Sequence, residues 1–326
     1  MKQGALAWAN ASQKESGFHR TGTNRLVAHS VQDRTLLVKY LPAVRGFLTW
    51  LMKRPQRPQR SDELDPFLAD YLEEMCYKDE RPFHAGSEAF FGFLCVFPEF
   101  KDRLPLSYRA YQSWKRLHVT HEGSPIPQET VFLVADWMKQ KGYTEEALLT
   151  ETSMDVYWRA GEWEQVCNKD VIDDGTTVAF LLGDADRGLR TKTGRFQGVI
   201  LDGIALTAEW RIKQKGKMNN TLYMDEKVFS FNMAHFKKIW KLAQNALGID
   251  CGCTHSLRHA GAARDVEMAT RSLEAVRRRG RWRAADSVAR YTKTWLLVAA
   301  RSQTPPDLLE KGVKLCAARG KRNIRE

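Results

Sequence analysis

THSLRHAGA at residues 254–262 and GRWRAADSVARY at 280–291 are the two stretches on which the reading of this chain turns. The first sets an imidazole, His255, three residues ahead of a guanidinium, Arg258, where apolar residues at helical spacing begin a segment predicted over 257–270. The second sets an indole, Trp282, nine residues ahead of a phenol, Tyr291, inside a helix predicted over 284–300. Two upstream pieces join them. YWRAGEW at 157–163 holds Arg159 and Glu162, and its apolar pattern continues a helix predicted from 145 to about 167. LRTKTGR at 189–195 holds Lys192 in a basic loop between two strand-like runs, VAFLL at 178–182 and GVILD at 198–202, the pattern of a β-hairpin or a three-stranded sheet edge. Taken singly, each piece also has an ordinary structural reading. Arg159 and Glu162 fit an exposed helix ion pair, Lys192 a solvated loop charge, and Trp282 and Tyr291 packing residues.

In their order and spacing the four pieces resemble the catalytic domain of the tyrosine recombinases, the phage-integrase superfamily. That family's pattern is an Arg on a helix with an acid three residues later, a Lys in a β-hairpin, His-x-x-Arg at a helix start, a His or Trp, and a Tyr nine residues further on. Here Arg159 with Glu162, Lys192, His255 with Arg258, Trp282 and Tyr291 fill every position, across residues 125–295. The resemblance implies a mainly α fold with a small β-sheet. An all-helical, SAM-like core-binding domain at 31–120 would precede a mixed α+β catalytic domain at 125–326. It also implies double-stranded DNA as partner, clamped between the two domains, and strand exchange through a 3′-phosphotyrosine and a Holliday junction. A homotetramer would act on two DNA sites, with no metal and no nucleotide cofactor. Type IB topoisomerases share this chemistry as monomers, but the Trp282-to-Tyr291 spacing and the short helical N-terminal domain look more like the recombinases. A non-enzymatic DNA-binding remnant of a mobile element is the alternative from another class, and the filled set of positions argues against it.

The chemistry explains why these residue types belong together. Breaking a DNA strand without metal or water needs a nucleophile that holds the phosphate covalently, the role given to Tyr291. Charge then builds on the nonbridging oxygens of five-coordinate phosphorus, and the paired donors of Arg159 and Arg258 suit that clamp. The departing 5′-oxygen needs a proton, which Lys192 would deliver as general acid. His255 would bind the phosphate and help manage the tyrosine proton, and the Trp282 indole would donate to a phosphate oxygen and wall the site. Glu162 orients its neighbours, while His259 supports the active-site helix or contacts the backbone. Arg190 and Arg195 in the loop, and Arg277, Arg278, Arg279, Arg281 and Arg283 beside the nucleophile, are expected to meet DNA phosphates. A nuclear-import signal or a solvated run is the alternative for the latter group. Cys251, Cys253, His255 and His259 make a competing zinc cluster, but it lacks the second ligand pair that structural zinc sites carry.

Composition agrees with a polyanionic partner. The 326 residues are 43% hydrophobic and 28% charged, enough apolar content for a packed core and about two domains. Net charge is +12, and from Cys251 onward 17 basic against 7 acidic side chains place +10 of it in the last quarter. The six cysteines are too sparse for a disulfide scaffold. Apolar runs such as 178–182 and 295–300 fall far short of the roughly 20 residues of a membrane span, and the N-terminus shows no sustained apolar segment. An intracellular, DNA-associated protein is therefore expected, nuclear in a eukaryote and in the cytoplasm or nucleoid of a prokaryote. Residues 1–30, polar and without periodicity, read as a flexible arm. Residues 33–118 read as about four helices, and the Gly- and Pro-rich run HVTHEGSPIPQE marks a linker near residue 122.

Overall fold

The computed structural model describes residues 35–118, 125–183, 191, 197–215, 217, 221–289, 291 and 294–322. The expected arm at 1–30, and Lys192, Arg190 and Arg195, lie outside them. The chain divides between His121 and Glu122 into two compact units.

The first unit holds α1 (Leu41–Met52), α2 (Leu64–Glu73), α3 (Phe83–Val96) and α4 (Pro105–Leu117). The sequence pattern runs unbroken from Leu36 through Pro42. In the structure a wide π turn, Leu36–Tyr40, leads into α1, so Pro42 directly follows a locally widened stretch of helix. Val44, Phe47, Leu68, Leu72, Phe90, Phe93, Tyr111 and Trp114 fill the core. α3 begins at Phe83, directly after Pro82. Gly86, which weakens its helical signal, is required because a Cβ there would lie 2.1 Å from the Trp114 ring. No side chain of α4 caps its own start. Asp65 of α2 accepts the Leu106 and Ser107 amides, each at 2.8 Å, and so does the work of an N-cap from a neighbouring helix.

The second unit contains α5 (Gln128–Gln140), α6 (Thr144–Val156), β1 (Val171–Asp173), β2 (Val178–Leu182) and β3 (Gln197–Leu201). After these come α7 (Ile204–Gln214), α8 (Met233–Leu247), α9 (Ser256–Glu267) and α10 (Leu273–Arg279), and then α11 (Asp286–Ala289), α12 (Trp295–Ser302) and α13 (Pro306–Arg322). The protein is thus mainly α with one small sheet. Its strands run antiparallel in the order β1-β2-β3, with Phe180 opposite Val171 on one side and Val199 on the other. Val178, Phe180 and Leu182 face the core while Leu181 faces solvent, the alternation expected of a sheet covered on one face.

Two sequence expectations are corrected here. The helix expected to run to 167 stops at Val156, because Tyr157 turns into the left-handed region at φ 55°. Arg159 therefore stands on an irregular turn and not on a helix. The helix expected over 284–300 is two short helices, α11 and α12, with Tyr291 between them. α7 and α13 were not anticipated. α7 is anchored by Trp210, fully buried, whose indole N–H donates to Thr152 Oγ1 at 2.8 Å. α13 packs on α5, where Gly312 lies against the Glu129 backbone.

α6 and α9 cross at Gly261, where a Cβ would lie 1.8 Å from the Met154 carbonyl oxygen. Gly261→Ala gains about 1 kcal/mol of helix propensity but forces two backbones apart at an overpacking cost of about 3 kcal/mol. A net loss of about 2 kcal/mol is expected in chemical denaturation. An unchanged unfolding midpoint would mean that the crossing is not tight.

Candidate active site

The crossing of α6 and α9 brings the turn after α6 against the first turn of α9, and the segment after α10 closes over both. Arg258, one turn into α9, is 2% exposed. Its Nη1 donates to the Tyr157 carbonyl at 2.5 Å and its Nη2 to the Gly280 carbonyl, so one guanidinium ties the two segments together. Its Cζ lies 4.5 Å from the centre of the Trp282 ring, a cation–π contact. The indole rests directly on Gly280, where any Cβ would collide with it. Burial, reinforced by the nearby charges of Arg159 and Arg281, pulls the Arg258 pKa down to about 9. It remains a cation at neutral pH.

Arg159 is held by Glu162 at both ends. Its amide donates to Glu162 Oε2 and its Nη1 to Oε1, each at 2.8 Å, and its Nη2 reaches the Arg281 carbonyl at 3.3 Å. Arg281 Nη2 donates to the same carboxylate at 2.6 Å. The Arg159–Glu162 pair is thus neither exposed nor helical, and the buried Glu162 organises two arginines at once.

Tyr291 is 4% exposed. Its hydroxyl lies 2.7 Å from His259 Nδ1, and its ring lies 5.0 Å from that of Trp282 and 5.5 Å from that of His259. His255 stands edge-on against His259 at 4.9 Å. Sequence reasoning gave His255 the tyrosine proton and His259 a supporting part; the structure sets His259 against the phenol, because residue 259 lies one turn further along α9.

Arg159, Glu162, His255, Arg258, His259, Trp282 and Tyr291 therefore gather in one place. The arginines expected on DNA divide. Arg278 and Arg283 are exposed, Arg278 also pairing with Glu274 at 2.8 Å. Arg277 is bound to Glu274 and to the carbonyls of Trp282 and Arg283. Arg279 and Arg281 point inward onto carboxylates. Arg279 bonds Asp155 and Asp202, and Arg281 bonds Glu162.

Behind the clamp lies a network that sequence reasoning missed. Asp265 accepts from Tyr157 Oη and pairs with Arg264 and Arg271, while Asp155 takes Arg264 and Arg279. Burial pushes the Asp265 carboxyl up, but these arginines and the Tyr157 hydroxyl outweigh it and hold it below the usual range. The available signal was spacing: Asp265 follows Arg258 by seven residues and so shares its helix face. Of the competing thiols, Cys251 is buried, its pKa raised to about 12 by burial, and Cys253 is exposed. Among the described residues no group of three or more His, Cys, Asp or Glu side chains is placed to hold a metal ion, and no helix is long and apolar enough to cross a membrane.

No family model matches the chain, and no curated protein sequence matches it. Solved structures do. The XerH site-specific recombinase bound to its palindromic difH substrate in a post-cleavage complex aligns at a TM-score of 0.56 and 17% identity, over 81% of this chain and 78% of that one. The Tn1549 transposon integrase in complex with a circular intermediate DNA aligns at 0.56 and 12% identity, over 88% and 94%. A lambda integrase tetramer bound to a Holliday junction aligns at 0.51 and 12% identity, over 90% and 77%. Over this framework the chain has the fold of the tyrosine recombinases.

Proposed function

We propose that the protein is a site-specific DNA strand-exchange enzyme of the tyrosine-recombinase type. The observation that carries this reading is the convergence of Tyr291, hydrogen-bonded to His259, on the buried Arg258 through the Trp282 indole that touches both. Tyr291 Oη attacks the scissile phosphorus and forms the O–P bond of a 3′-phosphotyrosine, while the bond to the 5′-oxygen breaks. His259 Nδ1 accepts the phenolic proton, which its 2.7 Å contact permits. Arg159 and Arg258 hold the nonbridging oxygens, and Glu162 fixes Arg159 in place for them. The reverse attack by a 5′-hydroxyl rejoins the strand, so no high-energy cofactor is consumed.

Double-stranded DNA is the proposed partner, and the tetramer named for lambda integrase supports a homotetramer on two DNA sites. The test is a suicide DNA substrate that loses its 5′-fragment on cleavage. A covalent adduct trapped on a gel supports the reading. Tight binding with no adduct sinks it in favour of a non-enzymatic DNA-binding remnant, and supercoil relaxation by a monomer favours the topoisomerase alternative.

Lys192 is proposed as the general acid for the leaving 5′-oxygen. Lys192→Ala is expected to be nearly inactive on ordinary DNA and much less impaired when the 5′-bridging oxygen is sulfur, since a thiolate leaves without a proton. Equal loss on both substrates would reject the role. Sulfur rescue of an Arg190 or Arg195 variant instead would move it to that residue.

A further inference from the structure

Arg281 is wound in the left-handed region at φ 52°, a conformation that disfavours any residue with a Cβ and that persists where the surroundings impose it. Its side chain is 9% exposed, and only Nη2 is used, on Glu162 at 2.6 Å. Nε and Nη1 are buried with no hydrogen-bond partner, and among the described residues no other guanidinium nitrogen is left so. Two donors of one buried guanidinium without an acceptor are rare in a folded protein, where buried polar groups are nearly all paired.

The charge count agrees. Arg159 and Arg281 pair with one carboxylate, Glu162, and Arg258 lies close enough to feel all three charges, which leaves 3 − 1 = +2 in a largely buried space. Arg159 and Arg281 both act to lower the Arg258 pKa, so the three cations repel one another. A phosphodiester attacked by a phenolate passes through a five-coordinate state with two negative charges on its nonbridging oxygens. That is the complement of the +2.

We propose that Arg281 is a third arginine of the phosphate site, with Nε and Nη1 donating to the nonbridging oxygens of the scissile phosphate. This rests on the recombinase reading above. A strut for Glu162 would need only Nη2 and would leave the other donors unexplained.

The experiment uses the full chain carrying Arg281→Gly, which removes the guanidinium and relieves the left-handed backbone. The first readout is calorimetric titration with orthovanadate, an analogue of five-coordinate phosphorus. The wild-type chain is expected to bind it and Arg281→Gly to bind it at least about tenfold more weakly, with a melting temperature at or above wild type. The second readout is single-turnover cleavage of the suicide substrate with an ordinary or a methylphosphonate linkage at the scissile position. About a 100-fold loss is expected on the phosphate, as when one preorganised donor is removed, and less than about tenfold on the uncharged methylphosphonate. Unchanged vanadate affinity, no vanadate binding by the wild type, or equal losses on the two substrates would overturn the proposal. Vanadate binding that depends on Arg281, in a wild-type chain that forms no adduct, would uphold the anion site and refute the recombinase reading. Should Arg281→Gly melt lower than wild type, Arg281→Lys serves in its place. It keeps the charge without the fork, and partial retention of vanadate affinity is expected; full retention would overturn the two-donor geometry.

Discussion

Tyr291→Phe is expected to abolish the covalent protein–DNA adduct altogether while changing DNA affinity by less than about twofold. The substitution removes one oxygen atom. That oxygen is the proposed nucleophile, and it lies 2.7 Å from His259 Nδ1. Affinity survives because one phenol adds little to an interface of many phosphates. The ring stays packed on Trp282, and loss of the His259 hydrogen bond costs about 1 kcal/mol of stability. The complementary change, His259→Ala, keeps the nucleophile and removes its base. It is expected to slow adduct formation by about 100-fold at neutral pH, with the deficit shrinking as pH rises toward about 10, where phenols ionise without help. An adduct in the Phe variant would place the nucleophile elsewhere, and a deficit independent of pH would remove His259 from the proton path.

Arg258→Ala should slow cleavage by about 1000-fold, the upper range for losing one preorganised donor set, because this side chain has a double duty. It faces the proposed phosphate position and it also bonds the carbonyls of Tyr157 and Gly280. Truncation leaves those two carbonyls buried without a donor, at roughly 1–3 kcal/mol each, and frees the indole that rests on the guanidinium. Stability should therefore fall by about 2–6 kcal/mol, and the rate must be read at a temperature where circular dichroism shows the variant folded. Arg258→Lys separates the two duties. An ammonium keeps the charge but lacks the planar fork needed to bridge two carbonyls, so it should regain little of either rate or stability. Cleavage at the wild-type rate by folded Arg258→Ala would show that the clamp does not include this residue.

The elements that sequence periodicity exposes are those whose faces differ in polarity. α1 to α5 and α8 to α10, together with β2 and β3, show that contrast. α13 shows it too. α7 does not announce itself: its apolar residues are interleaved with charge, and Trp210 earns its place through burial that only the tertiary structure shows. The break at Tyr157 is equally silent, since a tyrosine carries no turn signal. The Tyr157 carbonyl is met by Arg258 from about a hundred residues away in the sequence. The site itself was legible as a set of side chains because their chemistry restricts their types. Which histidine meets the phenol, and which arginines turn inward, depended on helix phase and on upstream carboxylates. Spacing alone does not resolve either.

Those carboxylates alter what the +12 net charge means. Asp155, Asp202, Glu162, Glu151 and Glu209 all precede residue 251, yet they hold Arg279, Arg271, Arg281 and Arg319 from the basic last quarter. Cations committed in this way carry few condensed counterions' worth of attraction for a duplex. The sequence places its positive charge where DNA would be drawn, but folding spends much of it on joining distant segments of the second unit. The slope of log affinity against log salt should accordingly reflect the smaller number of arginines and lysines left facing solvent, such as Arg278 and Arg283, rather than the seventeen that the sequence counts from Cys251 onward. A protein arranged so gains less from non-specific attraction to any stretch of DNA, and so depends more on the fit of a particular one.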